Sequence, residues 1–331
     1  FTHTPQSPML RSLVGSEMCI RDSFFIYITY ENTTEEDRIT IISYMKESNI
    51  FYVFISIIFM FLSHLSRAYR WKYLLEPLGI YSSFINRTLS VFICYISNLG
   101  IPRSGEILRA TSLSNYEKIS FEKTFGSIVA ERIVDLGILI LIIIISMFFH
   151  FDLISNFIYE QNINIKYIVA FFSVFLILFL FWLIVVKKLS LNSKNNIVIK
   201  IKSIISDFIE GVLSLKSMPN KSSFIVHTIF IWLMYIAMFY VIKWSFAETY
   251  NLTFLQILPA FIAGSLTITA TNGGIGIFPI AVAIMLSAFD ISKETGLAFG
   301  WVLWSAQTLI IIVLGGLSFF ILPLVNSFNS K

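Results

Sequence analysis

The chain has 331 residues, 56% of them apolar, 16% aromatic and only 13% charged, with a formal net charge of +4. At a mean hydropathy of +0.78, its apolar surface exceeds what one soluble core could hide, so a soluble globular domain is excluded and a polytopic membrane protein is expected. The small positive excess comes from loop lysines and suits an anionic membrane surface, not a nucleic acid, and the cysteines Cys19 and Cys94 form no disulfide or zinc pattern.

In chain order, Phe1 to Ser23 shows no helical or strand periodicity, and its VGSEMCIRDS stretch resembles translated sequencing-adapter read-through. Residues 1–23 are therefore set aside as non-native, and the transmembrane domain is expected over 24–331. Phe24 to Tyr30 reads as the end of a hydrophobic helix whose first part is missing. Glu31 to Asn49 is acidic, whereas Arg67, Arg70, Lys72 and Arg87 follow the apolar run Ile50 to Ala68. By the positive-inside rule this helix runs from outside to cytoplasm.

The loop Lys187 to Lys221 carries seven lysines against Asp207 and Glu210, so it too is expected to be cytoplasmic. Three apolar segments lie between the two basic regions: Phe84 to Ile101, Phe125 to Phe149 and Tyr167 to Val186. Three full crossings would put the lysine loop outside, so one segment must enter and return. Phe84 to Ile101 is the shortest and ends in a polar break, which makes Phe84 to about Leu113 a re-entrant hairpin. Within the lysine region, Ile201, Ile204, Ile205, Phe208, Ile209, Val212 and Leu213 form one apolar helical face. That face suits either a helix lying on the inner leaflet or a linker helix packed on the bundle.

The second half repeats the plan upside down: Phe224 to Ile242 exits, Phe254 to Phe289 contains a Gly-rich break, and Leu297 to Val325 returns to a cytoplasmic C-terminus. The fold class expected is thus an all-α polytopic membrane protein, a helical bundle with two broken or re-entrant helical hairpins in an inverted repeat.

The breaks and their neighbours carry the candidate chemistry. Arg67, Arg70 and Trp71 end the second helix and read either as interface anchors or as a phosphate-binding edge of a lipid path. In Asn98 to Arg109 (NLGIPRSGEILR), Arg103, Glu106 and Arg109 share one helical face, so Glu106 can pair with either arginine. Pro102 fits the first turn of the returning half-helix and Gly105 follows it. A helix N-terminus with two arginines is an anion site for a lipid phosphate, unless the charges form a self-neutralised knot.

Glu131, Arg132 and Asp135 lie inside an apolar run, where each ionisable group costs roughly 2.5 to 3.5 kcal/mol on insertion scales and needs a partner. Arg132 and Asp135 can pair at i, i+3, leaving Glu131 to meet Arg103 or Arg109; an interfacial position is the other reading. In TATNGGIGIFP, Gly273, Gly274 and Gly276 tolerate left-handed backbone and allow close approach to a ligand, with Asn272 offering amide contacts. A tight crossing of small residues would also use them, and that reading is preferred for Gly315 and Gly316. Trp301, Trp304 and Gln307 share a face of the last helix, and Gln307 needs a hydrogen-bonding partner at membrane depth.

The succession SRAYRW, N-x3-PRSGEILRA, ERIVDLG, TNGGIGIFP and GWVLWSAQT resembles the family of lysylphosphatidylglycerol synthase transmembrane regions, also called flippase-like membrane proteins, from about Phe24 onward. In those synthases this region moves an aminoacylated lipid between leaflets while a separate soluble domain makes it. Because the sequence ends at Lys331, directly after the last helix, the synthetic activity is not carried over. Pro279 departs from the pattern, since many members have Glu after the Gly-rich break.

The resemblance and the residues together imply a flippase-like carrier of an anionic or zwitterionic lipid, or a lipid-linked intermediate, in a bacterial inner membrane. No enzyme activity, cofactor, metal or nucleic-acid partner is expected. The partners anticipated are a membrane phospholipid or lipid-linked substrate, a second copy of the chain, and a separate lipid-modifying enzyme. The alternatives are a membrane-embedded transferase using Glu106, Glu131 or Asp135 as base, and a non-catalytic partner of an envelope-lipid synthase.

Overall fold

Helix α1 (Glu35–Glu47) forms where Thr34 accepts from the backbone N–H of Asp37 and the Asp37 carboxylate accepts from that of Thr34, a capping box that satisfies two orphan donors of the first turn. This computed structural model describes residues 34–101, 103–151, 196–271 and 273–328. The expected segments Phe24 to Tyr30 and Tyr167 to Val186, together with Cys19, Pro102 and Asn272, lie outside the described residues. Ten α-helices and no strand occur among the described residues.

The chain then runs through α2 (Ile50–Leu75), the hairpin pair α3 (Phe84–Gly100) and α4 (Ser104–Glu117), α5 (Phe121–Phe149), α6 (Asn196–Ser217) and α7 (Lys221–Ile242). It ends with the second hairpin pair, α8 (Phe254–Ala270) and α9 (Ile277–Ser287), and with α10 (Lys293–Phe328). Helices α2, α7 and α10 are long and apolar enough to cross a bilayer. Helix α5 has 29 residues but carries Glu131, Arg132 and Asp135 along its length. Large apolar side chains face outward along the bundle, among them Ile144, Phe148, Leu309 and Phe320. Such a surface is stable only against lipid, and the protein is an integral membrane protein.

Contacts at the helix ends fix the topology. Helices α2 and α7 pack antiparallel: Ser245 Oγ donates to the Asn49 carbonyl at one end, and Ser66 Oγ meets His227 Nδ1 at 2.8 Å near the other. The Glu117 carboxylate, closing α4, accepts from the Ser83 backbone N–H at 2.9 Å and from Asn86 Nδ2 at 2.7 Å, both where α3 begins. The first hairpin therefore enters and leaves at one end of the bundle, the end where Arg87 Nε donates to the Ala68 carbonyl of α2. The second hairpin uses the opposite end: Glu248, ahead of α8, accepts from the Ser292 backbone N–H at 2.9 Å just before α10.

The two halves also contact each other in matched fashion, with α2 along α7, α3 on α10, and α8 on α5. Small residues set these approaches. A Cβ added at Gly315 would meet Ile96 and the Phe92 carbonyl, whereas nothing lies within 4 Å of Gly316, so only the first of that pair makes a tight crossing. Gly300 lies against Pro279 and Gly296 against Ala283, so Pro279 is part of the α9–α10 seam.

The amphipathic helix α6 is packed on the bundle. Its Gly211 lies against Gly126 of α5, Phe208 packs near Phe125, and Lys123 pairs with Glu210 at 3.0 Å. Ile209 and Leu213 stay exposed, so the apolar face is only partly covered, and Ile201, Ile204 and Ile205 have side chains outside the described set.

Candidate functional site

Three helices converge on a buried ionic cluster. Arg67 and Arg70 come from the last third of α2, Arg109 from α4, and Glu131 and Asp135 from one face of α5. Arg67 Nη1 donates to Glu131 Oε1 at 2.5 Å and to Asp135 Oδ2 at 2.7 Å. Arg70 Nη1 donates to Asp135 Oδ1 at 2.8 Å and to the Thr228 hydroxyl at 3.0 Å, and Arg109 grips both Glu131 oxygens at 3.1 and 3.0 Å. Arg70, Arg109 and Glu131 are fully buried. A planar guanidinium can donate two parallel bonds to one carboxylate, which is why arginine serves in this dry setting.

Sequence spacing anticipated part of this. Glu131 does meet a hairpin arginine, and it is Arg109; its carboxylate is buried in protein and does not face outward. Arg67, Arg70 and Trp71 are not surface anchors: they are 2%, 0% and 0% exposed, and the arginine forks are occupied by carboxylates. Trp71 Nε1 donates to Ser127 Oγ at 2.9 Å, and the Arg109 guanidinium lies over its ring. Glu106 pairs with neither Arg103 nor Arg109 but with Arg132 at 2.9 Å, because Arg109 faces the interior while Glu106 faces the rim. Asp135 turns mainly to Arg67 and Arg70 and is 3.9 Å from Arg132.

That rim is the accessible part. Arg132 and Glu106 side chains are 36% and 22% exposed, and Arg103 is exposed with no ion pair among the described residues. Arg103 caps α4 with φ 59°, a left-handed conformation that a non-glycine residue adopts only at some cost. Asn98 Oδ1 accepts from the Gly105 backbone N–H at 2.8 Å, so one free donor of the half-helix is already taken by α3. Gly105 itself is packed: a Cβ there would meet the Cys94 carbonyl.

The second break has the backbone its glycines imply, with φ of 66°, 80° and 73° at Gly273, Gly274 and Gly276. Thr271 Oγ1 accepts from the Gly274 N–H, and Trp304 Nε1 donates to the Gly273 carbonyl at 2.8 Å. The close approach at Gly273 is made by Leu99 of the first hairpin, so the two breaks are in contact. Gln307 is buried, and its Nε2 has no partner among the described residues.

Sequence reasoning missed the uncharged part of the cluster. Tyr235 accepts from Arg67 Nη2 at 3.3 Å and meets the Tyr95 hydroxyl at 3.2 Å; the ring of His64, buried with both nitrogens unpartnered, lies tilted against that of Tyr95 with centroids 4.2 Å apart. His64 lies three residues before Arg67, the same helical spacing that joined Arg67 to Arg70, and this was the available signal. Tyrosines in an aromatic-rich chain gave none. No group of three or more metal-ligating side chains occurs among the described residues.

A family model described as the lysylphosphatidylglycerol synthase TM region matches residues 23–316, and the chain belongs to this family. No curated protein and no solved structure matches the chain.

Proposed function

We propose that the protein carries a phosphate-bearing lipid headgroup between the leaflets of its membrane, along a path bounded by the two hairpins. The family ties the chain to lipid handling. The observation that carries the finer reading is an imbalance of charge beside the first break: Arg67, Arg70, Arg103, Arg109 and Arg132 against Glu106, Glu131 and Asp135. In low dielectric an excess of guanidinium calls for an anion, and at this depth the abundant anion is a lipid phosphate. Arg103 and Arg132 are the two that reach the surface, so they are assigned to the headgroup, while the buried three hold the hairpin to α2 and α5.

Carriage is favoured over a transferase because the carboxylates of Glu131 and Asp135 are occupied by arginine forks and that of Glu106 is bound to Arg132, so none of the three is presented to a substrate as a base. The matched contacts of the halves and the opposite approach of the hairpins support an inverted repeat, the architecture of alternating access. The basic end is assigned to the cytoplasm, in a bacterial inner membrane, with a separate lipid-modifying enzyme as the source of substrate. Purified protein in vesicles carrying a headgroup-labelled anionic phospholipid tests the reading: protein-dependent loss of label protection supports it, and protection equal to that of protein-free vesicles refutes it.

A further inference from the structure

The hairpins reach the middle of the bundle from opposite ends, and their tips meet side chain to backbone. Leu99, one residue before the end of α3, lies so close to Gly273 that a Cβ there would collide with its Cδ2. The Gly273 side of this contact is fixed. Its φ of 66° disfavours any side chain, and its carbonyl accepts the Trp304 indole N–H at 2.8 Å. The Leu99 side is a branched apolar side chain on a tip whose other half begins at Arg103 in left-handed backbone. Polar groups flank the contact on both sides, the Ser97 hydroxyl and Asn98 amide on one and the Thr271 hydroxyl on the other.

We propose that the Leu99 side chain against Gly273 is the barrier of the path, and that its bulk sets the size of headgroup that passes. This rests on the translocation reading above. A headgroup handed from one break to the other must cross where the tips touch, and what fills that point is one isobutyl group against bare backbone. Since the Gly273 wall is pinned by Trp304, Leu99 is the part that must move aside.

Two readouts on Leu99→Ala test this, one of them independent of transport. In a chain lacking Cys19 and Cys94, single cysteines at Ser97 and Thr267 are probed with an impermeant thiol reagent added to one face of sealed vesicles and then to the other. With Leu99 present each thiol is expected to react from its own face only; with alanine each reacts from both. Unchanged sidedness, or no labelling of either thiol in the Leu99→Ala chain, overturns the proposal. The second readout is the ratio of translocation rates for phosphatidylglycerol and for a phospholipid with a bulky sugar headgroup, which is expected to narrow several-fold in Leu99→Ala. A wild type that moves phosphatidylglycerol with the ratio unaltered in the variant overturns the barrier while leaving translocation intact. If the wild type moves neither lipid, translocation itself fails and the thiol sidedness decides the barrier alone.

Discussion

The Arg109 guanidinium carbon lies over the Trp71 ring, 4.0 Å from its centroid, while its two terminal nitrogens hold the two oxygens of Glu131. The ring contact places the fork, and the fork holds the carboxylate that Arg67 and Arg70 share. The first hairpin is thereby bound to α2 and α5 through one rigid ionic joint rather than through apolar packing alone. Such a joint is weak evidence for net stability but costly to break from one side.

Glu131→Gln removes one charge from a set of groups with no access to water, and leaves Arg109 and part of Arg67 and Arg70 uncompensated. A loss of about 3 to 5 kcal/mol is expected, read as a lower thermal midpoint in detergent. Arg109→Lys keeps the charge but loses the bidentate grip on Glu131, and also destabilises. The double variant Glu131→Gln, Arg109→Gln is expected to lose less than the sum of its single variants. Strictly additive losses would mean that the two groups do not couple.

Gly126→Val places a branched side chain where Gly211 and the Phe208 carbonyl lie. Overpacking of this kind costs about 1 to 3 kcal/mol, and here it acts on one joint, between α5 and α6. Limited proteolysis is expected to cut α6 faster in the variant while α2 and α7 stay protected. Equal cleavage in wild type and variant would contradict the packed position of α6.

At the opposite end, burial pushes the Glu248 carboxyl up, but hydrogen bonds from the Ser292 backbone N–H and hydroxyl and from Thr295 outweigh it and hold the carboxyl below its ordinary range. A depressed folded-state value means that the stabilisation is present at neutral pH and is lost as pH falls through that value. Glu248→Gln mimics the protonated form, so its deficit in thermal midpoint is expected to be small at pH 7 and to close as the pH falls through the lowered range of this carboxyl. A deficit that persists unchanged in acid would assign the effect to shape rather than charge.

Much of this architecture was legible in the residues. The parity of charges between Arg67 and the lysine region required a returning segment, and Ser83, Asn86 and Glu117 meet as that requires. The burial of Arg67 and Arg70 was not legible, because a pair of arginines at a helix end looks the same whether it snorkels outward or turns inward to carboxylates 64 and 65 residues further along the chain. Glu106 was misplaced for a related reason: helical spacing tells which side chains share a face, not which of two faces meets α5. The contact of Leu99 with Gly273 had no local signal, since it joins the tips of hairpins in different halves. Helix α1 did have one, the Thr34 to Asp37 capping box inside a segment read only for its charge.

If exposed arginine at the first break handles a lipid phosphate, Arg103→Asn in reconstituted vesicles removes that function while sparing the fold. Asparagine tolerates the left-handed backbone at this position and the lost charge has no ion-pair partner among the described residues, so the fold is expected to keep its thermal midpoint. Translocation of a headgroup-labelled anionic phospholipid should fall several-fold relative to the wild type measured in parallel. Wild-type translocation by an equally stable Arg103→Asn protein, with Arg132→Gln equally active, would contradict the claim and move the site away from the hairpin rim.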